Sequence, residues 1–84
     1  MKARITQSQA LRGTLLRELH RSRLENPAQP WRWRRDLEQA AGGPVDFELD
    51  YLVERGDIVQ DGLKFRITAQ GIDVCERACL GSNG

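Results

Sequence analysis

Residues Gly43–Glu76 read GPVDFELDYLVERGDIVQDGLKFRITAQGIDVCE, and this stretch decides the fold. Val45, Leu49, Leu52 and Val53 recur at helical spacing and mark the buried stripe of a short helix. Pro44 suits its first turn, and Glu54-Arg55-Gly56 closes it. Asp57–Gln60 and Leu63–Thr68 read as strands, joined by Asp61-Gly62, a pair suited to a type I′ hairpin. Side chains alternate along a strand, so Phe65 and Ile67 should face the core, with Lys64 and Arg66 outward. Thr68 can cap a last helix over about Ala69–Leu80, with Ile72, Cys75 and Cys79 on one face.

Upstream, Thr6-Gln7-Ser8-Gln9 has the pattern of a capping box, a hydroxyl followed three residues later by Gln. Ala10, Leu11, Leu15, Leu16 and Leu19 follow at helical spacing, which predicts a first helix from about Gln7 to Arg23. Gly13 inside it costs about 1 kcal/mol against Ala, and marks either close packing or a weak helix. Pro27 and Pro30 bound a loop. Trp31-Arg32-Trp33 then reads as a short strand with both indoles packed inward and Arg32 outward. Arg34–Ala41 forms a second helix, with Leu37, Ala40 and Ala41 facing in and Gly42-Gly43 ending it.

Eighty-four residues suit a single domain, 1–84, with a core over about 7–80 and a tail at 81–84 expected to fray. Net charge is only +1, but its distribution is uneven. Residues 1–35 carry nine cations against two acids, a net +7, and residues 36–84 carry four against ten, a net −6. Such a bipolar chain suits an anionic partner, a cationic partner, self-association, or mutual neutralisation of its own two halves. Cys75 and Cys79 are four apart on one expected helix, a poor disulfide geometry, so a reducing compartment fits. No apolar run approaches the ~20 residues of a membrane span, and Met1–Gly13 lacks a signal-peptide core, so the expectation is cytoplasmic with no membrane contact.

The run Leu52-Val53-Glu54-Arg55-Gly56-Asp57-Ile58, followed by Phe65-Arg66-Ile67-Thr68-Ala69-Gln70-Gly71, resembles winged-helix DNA-binding domains of small bacterial and phage transcription regulators. The resemblance covers roughly residues 8–79. It implies an α+β winged helix: a three-helix core, a two- or three-stranded wing sheet and a C-terminal helix. It further implies that Gly43–Tyr51 is the recognition segment, that Asp61-Gly62 is the wing tip, and that double-stranded DNA is the partner. The recognition segment here carries Asp46, Glu48, Asp50 and, just beyond it, Glu54. Acids repel phosphates, so the contact implied is weak or dominated by the DNA backbone.

Two surfaces follow from the residues themselves. Arg32, Arg34 and Arg35 lie at the start of the second helix, where backbone amides also favour anions. With Lys64 and Arg66 they could form a basic strip for phosphates; the alternative is a solvated face paired with Asp36 and Glu38. The second surface is Asp46, Phe47, Asp50 and Tyr51, an aromatic pair in an acidic rim that suits a basic protein or a second copy of the chain, unless one ring is buried. Trp31 and Trp33 could stack on bases or fill a thin core. His20, Cys75 and Cys79 do not match the spacing of a closed zinc site, no nucleophile–base set or phosphate loop occurs, and no cofactor or enzymatic activity is implied.

Overall fold

The computed structural model describes the backbone of residues 2–83 and the side chains of residues 8–77. Seven elements follow in the order α1 (Lys2–Glu25), β1 (Arg32–Trp33), α2 (Arg34–Ala41), α3 (Asp46–Arg55), β2 (Ile58–Asp61), β3 (Lys64–Ile67) and α4 (Ala69–Asn83). The fold is α+β, four helices and one antiparallel sheet of order β1-β3-β2. Helix α1 is the spine, packing against α2, α3, α4 and β3. Its Leu15, Leu16 and Leu19 meet Leu37 of α2, Leu49 and Leu52 of α3, Ile58 of β2, Phe65 and Ile67 of β3 and Cys75 of α4 in one core.

Five expectations change at element ends, at the turn and on one helix face. Helix α1 starts at Lys2, so Thr6 lies within it and not at its N-cap, and α4 runs to Asn83, past the end expected at about Leu80. The side chain of Cys79 lies outside the described residues. Val45 is the N-cap of α3, which leaves Pro44 one residue before the cap and outside the first turn. The hairpin pairs Asp61 with Lys64, so Gly62-Leu63 is the two-residue loop. Among the described residues no side-chain-bearing residue has positive φ, while Gly62 sits at φ 63°. A type I′ turn needs positive φ at both central positions; one positive φ at the first is the pattern of type II′. Ala40, expected to face in, is exposed, while Ala41 packs on the core.

A larger correction concerns β1. Arg32 pairs with Phe65 and Trp33 with Lys64. Directly opposed residues share a face of the sheet, and Phe65 is fully buried. Arg32 therefore shares the core-side face, and Trp31 and Trp33 share the outer face with Lys64 and Arg66. The indoles do not fill the core: Trp33 is 48% exposed and Trp31 half-buried. The physical reason is register. Arg34 N–H donates to Leu63 O at 2.8 Å, which pins β1 to the hairpin one residue away from the parity expected.

The chain crosses itself where α3 leads into β2 and β3 leads into α4. Thr68 caps α4 as expected, its Oγ1 accepting from Gly71 N–H at 3.1 Å. The Thr68 hydroxyl donates to Gly56 O at 2.6 Å, and its backbone N–H donates to Asp57 O at 3.0 Å. Gly71 lies against this crossing so closely that a Cβ there would stand 2.1 Å from Asp57 O. At Gly13, by contrast, a Cβ would meet nothing within 4 Å. Gly71→Ala should therefore destabilise the protein by more than about 2 kcal/mol through overpacking, whereas Gly13→Ala should stabilise it by up to about 1 kcal/mol through helix propensity. Urea unfolding of the two variants against the parent checks both signs.

Candidate nucleic-acid interface

The outer face of the sheet is built by strand register. Trp33 of β1, Lys64 of β3 and Asp61 of β2 form one row across it; Arg66 of β3 and Val59 of β2 form the next, with Trp31 at its β1 end. The Lys64 ammonium lies 5.7 Å from the Trp31 ring centre and 5.9 Å from that of Trp33. The Arg66 guanidinium lies 5.6 Å from the Trp31 ring centre. These distances are within the range of cation–π attraction. The tryptophans thus pre-position two cations on a face that is turned away from the core.

The expected basic strip is divided by the fold. Lys64 and Arg66 stand together on the outer face. Arg35 is exposed at the start of α2, in a depression of about 310 Å³ that it lines with Trp33, Arg34, Glu38 and Leu63. Arg32 belongs to the opposite side of the sheet. Arg34 is half-buried, is ion-paired with Asp46 and lies with its guanidinium 5.7 Å from the Phe65 ring centre. Its Nε is buried with no hydrogen-bond partner among the described residues. Arg34 therefore joins the first turns of α2 and α3 instead of standing free for a phosphate.

Helix α3 is correspondingly less acidic outwardly than its sequence. Asp46 is held by Arg34. Glu48 is buried and accepts from Ser8 Oγ of α1 at 2.9 Å. Asp50 and Glu54 remain exposed, together with Phe47 at 68% exposure. Phe47 and Tyr51 do not form an exposed pair. Tyr51 is half-buried, with the Arg12 guanidinium 4.4 Å from its ring centre and that of Arg55 at 5.9 Å.

Arg55 itself is fixed by a carboxylate that no sequence pattern singles out. Asp57 is fully buried; its Oδ2 meets Arg55 Nε at 3.0 Å and its Oδ1 accepts from Gln70 Nε2 at 3.0 Å. The local signal is an acid directly after the Gly56 helix end, where a solvent-facing turn residue is the ordinary reading. Among the described residues no group of three or more side chains is placed to hold a metal ion, and no helix is long and apolar enough to cross a membrane. Comparison of the chain with family models, with characterised proteins and with solved structures finds no match.

The Tyr51 hydroxyl is held below the ordinary tyrosine range. The hydrogen bond with Arg55 is the chief cause; partial burial opposes it, and the charges of Arg12 and Arg55 add to it. Arg55 is raised in return, first by that same bond and then by Asp57. A group lowered in the folded state stabilises the fold above its unfolded value, about 10 for tyrosine, and loses that contribution as pH falls through the lowered value. Tyr51 is the only tyrosine in the chain. Its phenolate absorbance should titrate with a midpoint below that of free tyrosine, and Arg12→Gln should move the midpoint upward. An unchanged midpoint in that variant removes Arg12 from the contact.

Proposed function

We propose that this protein is a small winged-helix-type DNA-binding protein whose contact is made mainly to the sugar–phosphate backbone, as expected of a transcription regulator that reads little sequence through α3. The observation that carries this reading is the outer sheet face, where Trp31 and Trp33 flank Lys64 and Arg66 in register and Arg35 stands beside them. Order of elements supports it: a strand between the first two helices, a hairpin after the third and a capped helix after the hairpin. The burial of Glu48 and the pairing of Asp46 support it too, since they leave fewer acids on α3 to repel a duplex.

Binding to random duplex DNA should fall in the non-specific range, ~10⁻⁴–10⁻⁶ M at physiological salt. Replacing Arg35, Lys64 and Arg66 together with Ala should weaken it for every sequence. For every phosphate that is no longer neutralised, the slope of log K against log salt should become shallower by about 0.9. Titrations at about 50 and 200 mM salt measure that slope. A triple variant with the parent's affinity and slope excludes the sheet face as the contact surface.

A second reading rests on Phe47. A large ring 68% exposed beside Asp50 and Glu54 suits an anchor for a basic protein surface or a second copy of this chain. Light scattering at low salt separates the two readings. A parent that associates, with Phe47→Ala monomeric and still bound to DNA, assigns α3 to protein contact.

A further inference from the structure

A second cavity, of about 320 Å³, lies between α1, α3 and α4, away from the outer sheet face. Its polar rim is Arg12 and Arg17 of α1 with Tyr51 and Arg55 of α3. Its apolar wall includes Leu16, Leu52 and Val74. Its size lies at the lower end of the ~300–1,000 Å³ typical of small-molecule sites, and an apolar wall with a few converging polar groups is their usual chemistry.

We infer that this cavity is a binding site for a small amphipathic organic acid, its carboxylate held between the α1 and α3 arginines and its apolar body against Leu16, Leu52 and Val74. Charge supports the assignment. Three guanidinium groups converge on the cavity, and Asp57 is the acid among its lining residues. The Asp57 carboxylate is fully buried and already engaged by Arg55 Nε and Gln70 Nε2. It holds Arg55 in place while leaving the rim cationic. Arg12 lies face-on to Tyr51, a neutral ring at ordinary pH, and forms no ion pair among the described residues. A guanidinium offers a planar fork of donors that matches a carboxylate, and no acid among the described residues occupies that fork of Arg12.

Gly13 supplies an independent argument. A glycine inside a helix is destabilising, and here no packing demands it, since a Cβ would meet nothing within 4 Å. Gly13 lines this same cavity. A larger residue would project into that space, so the helix carries a weak position where the cavity is kept open.

The test uses the full chain and two probes, 2-naphthoate and its neutral counterpart 2-naphthamide, followed through backbone amide chemical shifts. It is independent of the DNA reading, because neither probe resembles a nucleic acid and the sheet face is not part of the cavity. 2-Naphthoate should shift the amides of residues 9–17 and 51–55, and 2-naphthamide should bind at least about tenfold more weakly. Arg12→Gln should weaken 2-naphthoate by a similar factor. Gly13→Leu fills the opening with a good helix former; it should abolish binding while keeping the native amide spectrum elsewhere. The inference is overturned by the absence of saturable shifts at millimolar 2-naphthoate, by equal affinity for the neutral amide, or by a folded Gly13→Leu variant that binds like the parent.

Discussion

The rest of the molecule depends on the crossing at Asp57. The segment leaving α3 and the segment entering α4 touch there through backbone, side chain and the missing Cβ of Gly71. Asp57 O accepts from Thr68 N–H, and Asp57 Oδ1 accepts from Gln70 Nε2, so one residue of the α3–β2 junction holds the β3–α4 junction through both backbone and side chain. A carboxylate buried without partners would cost several kcal/mol. With Arg55 and Gln70 in place that cost is offset, and the geometry becomes selective. The crossing is stable only when α3 ends at Gly56, β2 starts at Ile58 and α4 starts after Thr68. Pairing of Ile58 with Ile67 follows, and so does the register of the hairpin.

Register then decides which side chains are available for function. Because Phe65 and Ile67 fill the core, every residue at the alternate parity of β3 is outward. The short strand β1 adds Trp33 to that outward set, and Trp31 just before it lies beside Arg66. The core does not need them: α1 already brings three leucines to it, and α3 two more. Two indoles on the outer side of a small sheet lie outside the buried core cluster, in contact with Lys64 and Arg66. The charge division of the chain persists in three dimensions. Of the ion pairs among the described residues, Arg34–Asp46 joins the basic and acidic halves, whereas Arg21–Glu18 and Arg55–Asp57 each stay within one half. Among the described residues, a single ion pair therefore links the two halves.

What is legible in the sequence is local. Gly42 and Gly56 end helices, Thr68 caps one, and the Leu49–Leu52 and Phe65–Ile67 spacings place residues in the core, because each depends on neighbours a few positions away. The orientation of Trp31 and Trp33 is not legible. A two-residue strand has no periodicity of its own, and a shift of one residue against β3 turns it over. The same holds for the arginines beside it: Arg32, Arg34 and Arg35 are adjacent in sequence and go to three different environments. Spacing alone makes Tyr51 a companion of Phe47, because four residues separate them. Its actual neighbours, Arg12 and Arg55, include one from a helix thirty-nine positions upstream, which spacing cannot reveal.

Helix α3 carries the link between the two surfaces. Its first turn is tied by Asp46 to Arg34 next to the sheet face, and its last turn holds Tyr51 and Arg55 at the cavity. Its middle is anchored by Leu49 and Leu52 in the core, so it should move as a rigid piece or not at all. A partly exposed ion pair such as Arg34–Asp46 contributes about 0.2–1 kcal/mol. If the sheet face binds DNA and the cavity an acid as proposed, and that pair is the only element both sites bias, occupancy of the cavity would change DNA affinity by no more than about fivefold. Repeating the DNA titration with saturating 2-naphthoate measures the linkage directly. A shift within that bound, abolished by Asp46→Asn, is the expected result. A larger shift, or one that survives Asp46→Asn, places the coupling outside this pair; displacement of α3 from the core would in addition lower the protection of its amides from hydrogen exchange.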